Sequence, residues 1–207
     1  MITGWIAAER RSLADVLDGL SAEQWATPSL CEGWTVRHVV AHLTMPFRYS
    51  AGRFMIEMAK AGGSFQRMSD KVAERDSALP AAELVAAVRD NAEHQWKPPG
   101  GGFEGALAHD VIHGLDITSP LRIDRTIAVD AIKAVLDTIT SPQGRKHFGV
   151  DIDGIRLQAT DIDWSCGSGT AMTGRARDLA LFLSGRRIPD GAVSGAGTRW
   201  PTGGTGQ

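Results

Sequence analysis

The chain has 207 residues, 43% of them hydrophobic and 22% charged, with a formal net charge of -2. These proportions suit a globular protein with one full core, or a bundle with a small appended domain, and exclude a chain disordered throughout. A near-neutral charge with no local cluster of Lys and Arg leaves no footprint for nucleic acid, and no apolar run reaches the roughly 20 residues of a membrane span. The start, a short apolar stretch followed by Glu9, Arg10 and Arg11, lacks the pattern of a signal peptide, so a cytoplasmic protein is expected. Cys31 and Cys166 are far apart and have no partner at metal spacing, which excludes a disulfide framework or a zinc ribbon. Each reads as a buried or semi-buried free thiol.

In chain order, Trp5, Ile6, Leu13, Val16, Leu17 and Leu20 recur at helical spacing and predict an amphipathic helix ending near Gly19. Ser21 to Gly33, with Pro28, reads as a loop. Thr35 is a good N-cap for a second helix, whose stripe of Val36, Val39, Val40 and Leu43 runs beside His42. Pro46 removes the hydrogen bond that the His42 carbonyl would accept from position 46, which predicts a bend there. Phe47 to Lys60 continues that helix until Gly62 and Gly63 stop it. Ser64 to Ser77 reads as a short helix or a mobile connection whose Phe65, Met68 and Val72 would cover the mouth of a pocket.

From Pro80 a clear helical run carries Leu84, Val85, Val88 and Trp96 to the break at Pro98 to Gly102. A helix carrying residues 106–116 and ending near Pro120 follows, and then an amphipathic run from Arg125 to Ile139. From Gly149 the apolar residues alternate, with Ile152, Ile155, Leu157, Ala159 and Ile162 predicting short strands, and Thr173 to Ser184 predicts a compact helix. The tail from Gly185 is rich in Gly, Pro, Ser and Thr, with Val193 and Trp200 as its anchors. The expected architecture is mainly α, a helical bundle over residues 1–145 with a small α/β part over 146–207.

The chemistry concentrates on the stretch Ala106 to Asp116, which carries His109 and His113. On a helix, residues four apart share a face with Cβ atoms roughly 5–6 Å apart, so both imidazoles can converge on one small target, the spacing a metal ion wants. Leu107, Val111, Ile112 and Leu115 flank them for packing, and Asp116 follows His113 on the same stripe. A second imidazole helix holds His38 and His42; six histidines scattered at random over this length give on the order of 0.15 pairs at four-residue spacing, and here there are two. His42 is therefore the candidate third ligand. His38 sits near its helix start, where the positive end of the dipole disfavours a cation, and reads as surface or supporting structure. Asp116 reads equally as a partner of a ligand imidazole or as a neutral feature of the helix surface, and Asp110 as solvated.

The segment from Leu20 to Leu43, with Pro28, Cys31, Gly33-Trp34-Thr35-Val36 and Ala41-His42-Leu43, resembles the opening of the mycothiol-dependent maleylpyruvate isomerase family, a branch of the DinB-like metal-binding four-helix bundles. The spacing of His109, His113 and Asp116 resembles that family's second ligand motif, and Leu157 to Asp161 and Gly174 to Arg186 are similar to the small C-terminal part of many members. In the maleylpyruvate isomerase branch the first ligand of that motif is usually a Glu. His109 in its place is closer to the three-histidine version of other DinB-like proteins, so the metal survives the exchange while the exact reaction does not follow from it.

The resemblance implies a DinB-like four-helix bundle in which His42, His109 and His113 hold a divalent cation. Three neutral imidazoles with an open position are the arrangement of catalytic zinc, and nickel, iron or manganese also accept nitrogen ligands. It further implies mycothiol or a similar low-molecular-weight thiol as cofactor. The expected activity is that of an isomerase or S-transferase acting on a small electrophilic substrate, with the metal-held thiolate as nucleophile. Two alternatives stay open: a hydrolase that uses the metal to activate water, and a non-catalytic DinB-like metal-binding or stress-associated bundle.

Overall fold

The apolar repeat of the first twenty residues becomes α1 (Ile2–Asp18), which buries Ile6, Ala7, Leu13, Ala14 and Leu17 and is capped by Gly19. The structure is a computed structural model describing residues 1–195; the expected anchor Trp200 lies outside the described residues. Among those residues the protein is mainly helical, with ten helices and a small C-terminal mixed sheet, as the sequence pattern leads one to expect. No helix among them is long and apolar enough to cross a membrane. The chain divides into two compact units, one of Met1–Ala106 with Asp116–Arg125, the other of Leu107–Leu115 with the described residues from Thr126.

In the first unit α1 packs on α6 (Ala81–Asp90), α6 on α3 (Val36–Arg48), and α3 on α5 (Phe65–Asp76). Their shared core includes Leu13, Leu17, Val36, Val39, Val40, Leu43, Leu84, Val88 and Ile117. Each such side chain, taken fully out of water, contributes roughly 1.5–3 kcal/mol before the entropy of ordering it is counted. Ile117 comes from the last turn of α7 (Gly102–Thr118), so this helix is anchored in the same core. The loop expected before α3 contains one short turn, α2 (Ala22–Trp25), closed by a reciprocal Ser21–Gln24 capping box.

Two boundaries differ from the spacing argument, each for a local reason, and one open reading resolves to a helix. The helix through Pro46 stops at Arg48, because Tyr49 turns extended and the Ser50 hydroxyl accepts from Arg53 N–H to start a separate α4 (Ala51–Lys60). The ambiguous polar stretch is helix α5, capped by Ser64 and burying Met68, Ser69, Val72, Ala73 and Asp76. The run expected to reach Trp96 ends at Asp90, since Arg10 reaches across and its Nη1 donates to the carbonyls of Asn91, Ala92 and His94. A buried guanidinium replaces the helix ladder there.

In the second unit α8 (Val129–Thr140) packs on α9 (Pro142–Phe148) and on α10 (Ala176–Leu183). The sheet runs β2 (Ser165–Gly167), β1 (Ile155–Ala159), β3 (Thr170–Gly174), β4 (Val193–Gly195), with β1 and β3 parallel and both outer pairings antiparallel. The helix expected from Thr173 begins at Ala176 instead, because Thr170–Gly174 is taken into the ladder beside β1. Asp161 then caps it, its Oδ1 accepting from Ala176 N–H at 2.8 Å.

The turn between α8 and α9 is closed by Ser141, whose hydroxyl accepts from Gly144 N–H at 3.0 Å. A Cβ at Gly144 would stand 2.0 Å from the Thr138 carbonyl oxygen and 2.7 Å from that of Ile139. Both obstacles are backbone, so relief requires the turn itself to shift. Gly144→Ala is expected to destabilise the second unit by about 1–3 kcal/mol, read as a lowered melting temperature in thermal denaturation. An unchanged melting temperature would show that the turn yields freely.

Candidate metal centre

His42 lies on the buried face of α3, 3% exposed, because Val39, Val40, Leu43 and their neighbours carry that face into the core. Its Nδ1 is 2.9 Å from the Ser69 hydroxyl on α5, and its ring lies 5.3 Å from that of Trp34 at an interplanar angle of 50°. On α7 the one-turn spacing of His109 and His113 brings their ring centroids to 4.8 Å in an edge-to-face arrangement. His109 Nδ1 is 2.9 Å from Asp110 Oδ1, and Asp110 is buried at 4% exposure, which corrects its reading as a solvated residue. His113 is buried as well.

Two sets of side chains could each hold a metal ion: His42 with His109 and His113, and Cys31 with His113 and Asp116, the ligand atoms of each set lying within 4.8 Å of one another. The donor chemistry of the first set suits a divalent cation. Where the tautomer places a proton on Nδ1, His42 can donate it to Ser69 and His109 to Asp110, an arrangement that suits coordination through Nε2. These potential ligand sets point to a metal cofactor.

Residues 6–95 match the family model described as Mycothiol maleylpyruvate isomerase N-terminal domain. The crystal structure of the mycothiol-dependent maleylpyruvate isomerase shares the fold, with a TM-score of 0.58 at 16% identity over 94% of this chain and 91% of that one. Residues 6–95 thus match the N-terminal domain of that isomerase family, and the chain shares the fold of the solved isomerase. A histidine-to-alanine mutant of the same isomerase superposes equally, with a TM-score of 0.57 at 15% identity over the same shares of both chains. Uncharacterized proteins from two strains of Mycobacterium tuberculosis are each 26% identical to this chain over 246 residues, covering 96% of it and 93% of their own length.

His38 stands apart from the other imidazoles in role. It occupies the Glu or Gln place of a capping box, its Nδ1 accepting from Thr35 N–H at 3.3 Å and lying 2.7 Å from the Thr35 hydroxyl, while Nε2 faces Glu74 at 2.9 Å. It supports the start of the His42 helix, in agreement with its reading as surface or supporting structure. Cys31 is buried and donates from Sγ to Asp116 Oδ2 at 3.1 Å, with Asp116 wholly buried. Ser69 escaped the sequence argument. The signal was available in the buried stripe Met68, Ser69, Val72, Ala73 and Asp76, whose spacing is helical.

Asp76, two turns beyond Ser69, fastens α5 to the end of α3. Its Oδ2 accepts from Arg48 Nη2 at 2.8 Å and from the Tyr49 hydroxyl at 2.8 Å, and its Oδ1 accepts from Arg75 Nε at 2.9 Å. Burial pushes the Asp76 carboxyl up, but the hydrogen bonds from Arg75 and Tyr49 and the charge of Arg48 outweigh it and hold the group below its ordinary value. A carboxyl whose folded value is depressed stabilises the fold above its unfolded value, roughly 3.9, and loses that contribution as pH falls through the folded value. Asp76→Asn is expected to cost about 1–3 kcal/mol at neutral pH, with the gap to wild type closing as acid protonates the native carboxyl. Melting curves across the acid range read this directly; a gap that stays constant with pH would place the fastening elsewhere.

Proposed function

We propose that the chain is a metal-dependent, thiol-using isomerase or S-transferase for a small electrophilic substrate, with His42, His109 and His113 as the ligands of a divalent cation, zinc foremost. The observation carrying this reading is a cluster of three imidazoles whose ligand atoms lie within 4.8 Å of one another. The homology to a mycothiol-dependent isomerase family supports the thiol part.

When bound, the cation supplies Lewis acidity at an open position, where it favours the thiolate form of a thiol. The chain's own side chains do the rest. Ser69 and Asp110, each 2.9 Å from an Nδ1, would accept its proton and orient the rings of His42 and His109 for binding through Nε2. Trp34, buried against His42, provides an apolar wall that keeps bulk water from the imidazole. The nucleophilic sulfur comes from outside the chain on this reading, since Cys31 donates its thiol proton to Asp116 and Cys166 lies on β2. Mycothiol or a similar low-molecular-weight thiol fills that role.

Elemental analysis of the purified protein is expected to show near-stoichiometric metal, lost in His42→Ala, His109→Ala and His113→Ala. Cobalt(II) loading should quench the fluorescence contributed by Trp34, which stands 5.3 Å from the His42 ring, and a low-molecular-weight thiol should then shift the cobalt absorption bands. A wild-type protein that takes up neither zinc, nickel nor cobalt would overturn the metal reading. Turnover of an ester or amide without any thiol would replace the isomerase or transferase by a hydrolase.

A further inference from the structure

The buried thiol of Cys31 and the buried carboxylate of Asp116 remain unused by the reaction outlined above. Leu30 and Cys31 grip one residue of α7 twice: Leu30 N–H donates to the Asp116 carbonyl at 3.2 Å, and Cys31 Sγ donates to Asp116 Oδ2 at 3.1 Å. Cys31 is 4% exposed and Asp116 0%. The gripping loop is itself rigid. Ser29 N–H and Ser29 Oγ both donate to the Trp34 carbonyl at 2.9 and 2.8 Å, Ser29 Oγ accepts from Cys31 N–H at 3.1 Å, and Val36 N–H donates to the Thr27 carbonyl at 2.9 Å. Gly33, at φ +77°, makes the turn. The same loop carries Trp34, whose ring lies against that of His42.

Asp116 follows His113 by three residues, so both project from one face of α7, and a helix held at one residue of a face is held in rotation at the next turn. A dication coordinated by three neutral imidazoles keeps its whole charge, and a carboxylate removed from water one turn away favours it strongly. A thiol–carboxylate pair is an expensive way to fill a core that aliphatic side chains would fill as well. Its presence beside a candidate ligand calls for a role.

We infer that Cys31 and Asp116 form a positioning pair for the metal centre: the Cys31 thiol orients the Asp116 carboxylate, and that carboxylate sets the rotation of His113 and the affinity for the cation. The inference rests on the metal reading of His42, His109 and His113. In it Cys31 is a hydrogen-bond donor and remains outside the coordination sphere, so the second possible ligand set, Cys31 with His113 and Asp116, serves as support for the first.

The test uses the full chain and cobalt(II) alone, with affinity measured by competition against a chromophoric chelator and geometry read from the visible cobalt bands. Asp116→Asn is expected to weaken cobalt binding about 10–100-fold and to shift the bands. Cys31→Ala should do the same in lesser degree, and Cys31→Ser, whose hydroxyl can still donate, should restore both. If Asp116→Asn does not fold, the Ala and Ser variants at position 31 decide by themselves. A lowered melting temperature of the metal-free variants with affinity and bands unchanged would overturn the inference and make the pair a fold element. An intense sulfur-to-cobalt charge-transfer band in wild type that disappears in Cys31→Ser would overturn it by making Cys31 a ligand. A wild type that binds no cobalt would bring down the metal reading, and this inference with it; a wild type and an Asp116→Asn variant that bind equally would bring down this inference only.

Discussion

An imidazole taken out of water keeps its orientation only when its ring nitrogens find partners, and this constraint organises the helices around the candidate metal centre. His42 meets it with Ser69, which requires α5 to lie against α3 at one register. That register is in turn fastened by Asp76, which draws Arg48, Tyr49 and Arg75 to one buried carboxylate. His109 meets the same constraint with the adjacent Asp110, so α7 supplies both the ring and its partner. Removing a single acceptor in such an arrangement leaves a buried donor unanswered, which costs more than the bond itself contributed.

The loop before α3 links these requirements. Its backbone closes on itself between Thr27 and Val36, its Trp34 packs on the ring of His42, and its Leu30 and Cys31 hold Asp116 of α7. His38 belongs to this scaffold, where an imidazole takes the place that Glu or Gln takes in the common capping box and steadies the first turn of the helix that carries His42. Two histidines one turn apart on one helix thus serve different ends, one securing the helix start and one turned into the core.

A likeness at 16% identity shows a shared fold and leaves the chemistry to be argued from side chains. His109 is the point of departure. Where the resembled branch usually places a Glu, this chain would offer a third neutral nitrogen, so a bound dication would retain more of its charge and act as a stronger Lewis acid. Two buried acidic side chains stand close by, Asp110 beside His109 and Asp116 one turn past His113.

By itself the sequence determined the helical character of residues 1–140, the change to short strands after residue 149, and the pairing of His109 with His113 on one face. All three follow from local periodicity, 3.6 residues per turn against 2 per strand repeat, which needs no distant partner. His42 was legible as a histidine on an apolar stripe for the same reason. Tertiary structure decided where helices stop and which polar residues go inside. Arg10, from another helix, binds the carbonyls of Asn91, Ala92 and His94 just past the end of α6, and the β3 ladder with β1 claims residues that helical spacing would have assigned to α10. Ser69, Asp110, Cys31 and Asp116 gain their roles only from neighbours brought in by packing, or, for Asp110, from burial that a polar residue reveals in no sequence pattern. Periodicity reports which face of an element is apolar; the partner of a buried polar atom is a matter of three-dimensional register.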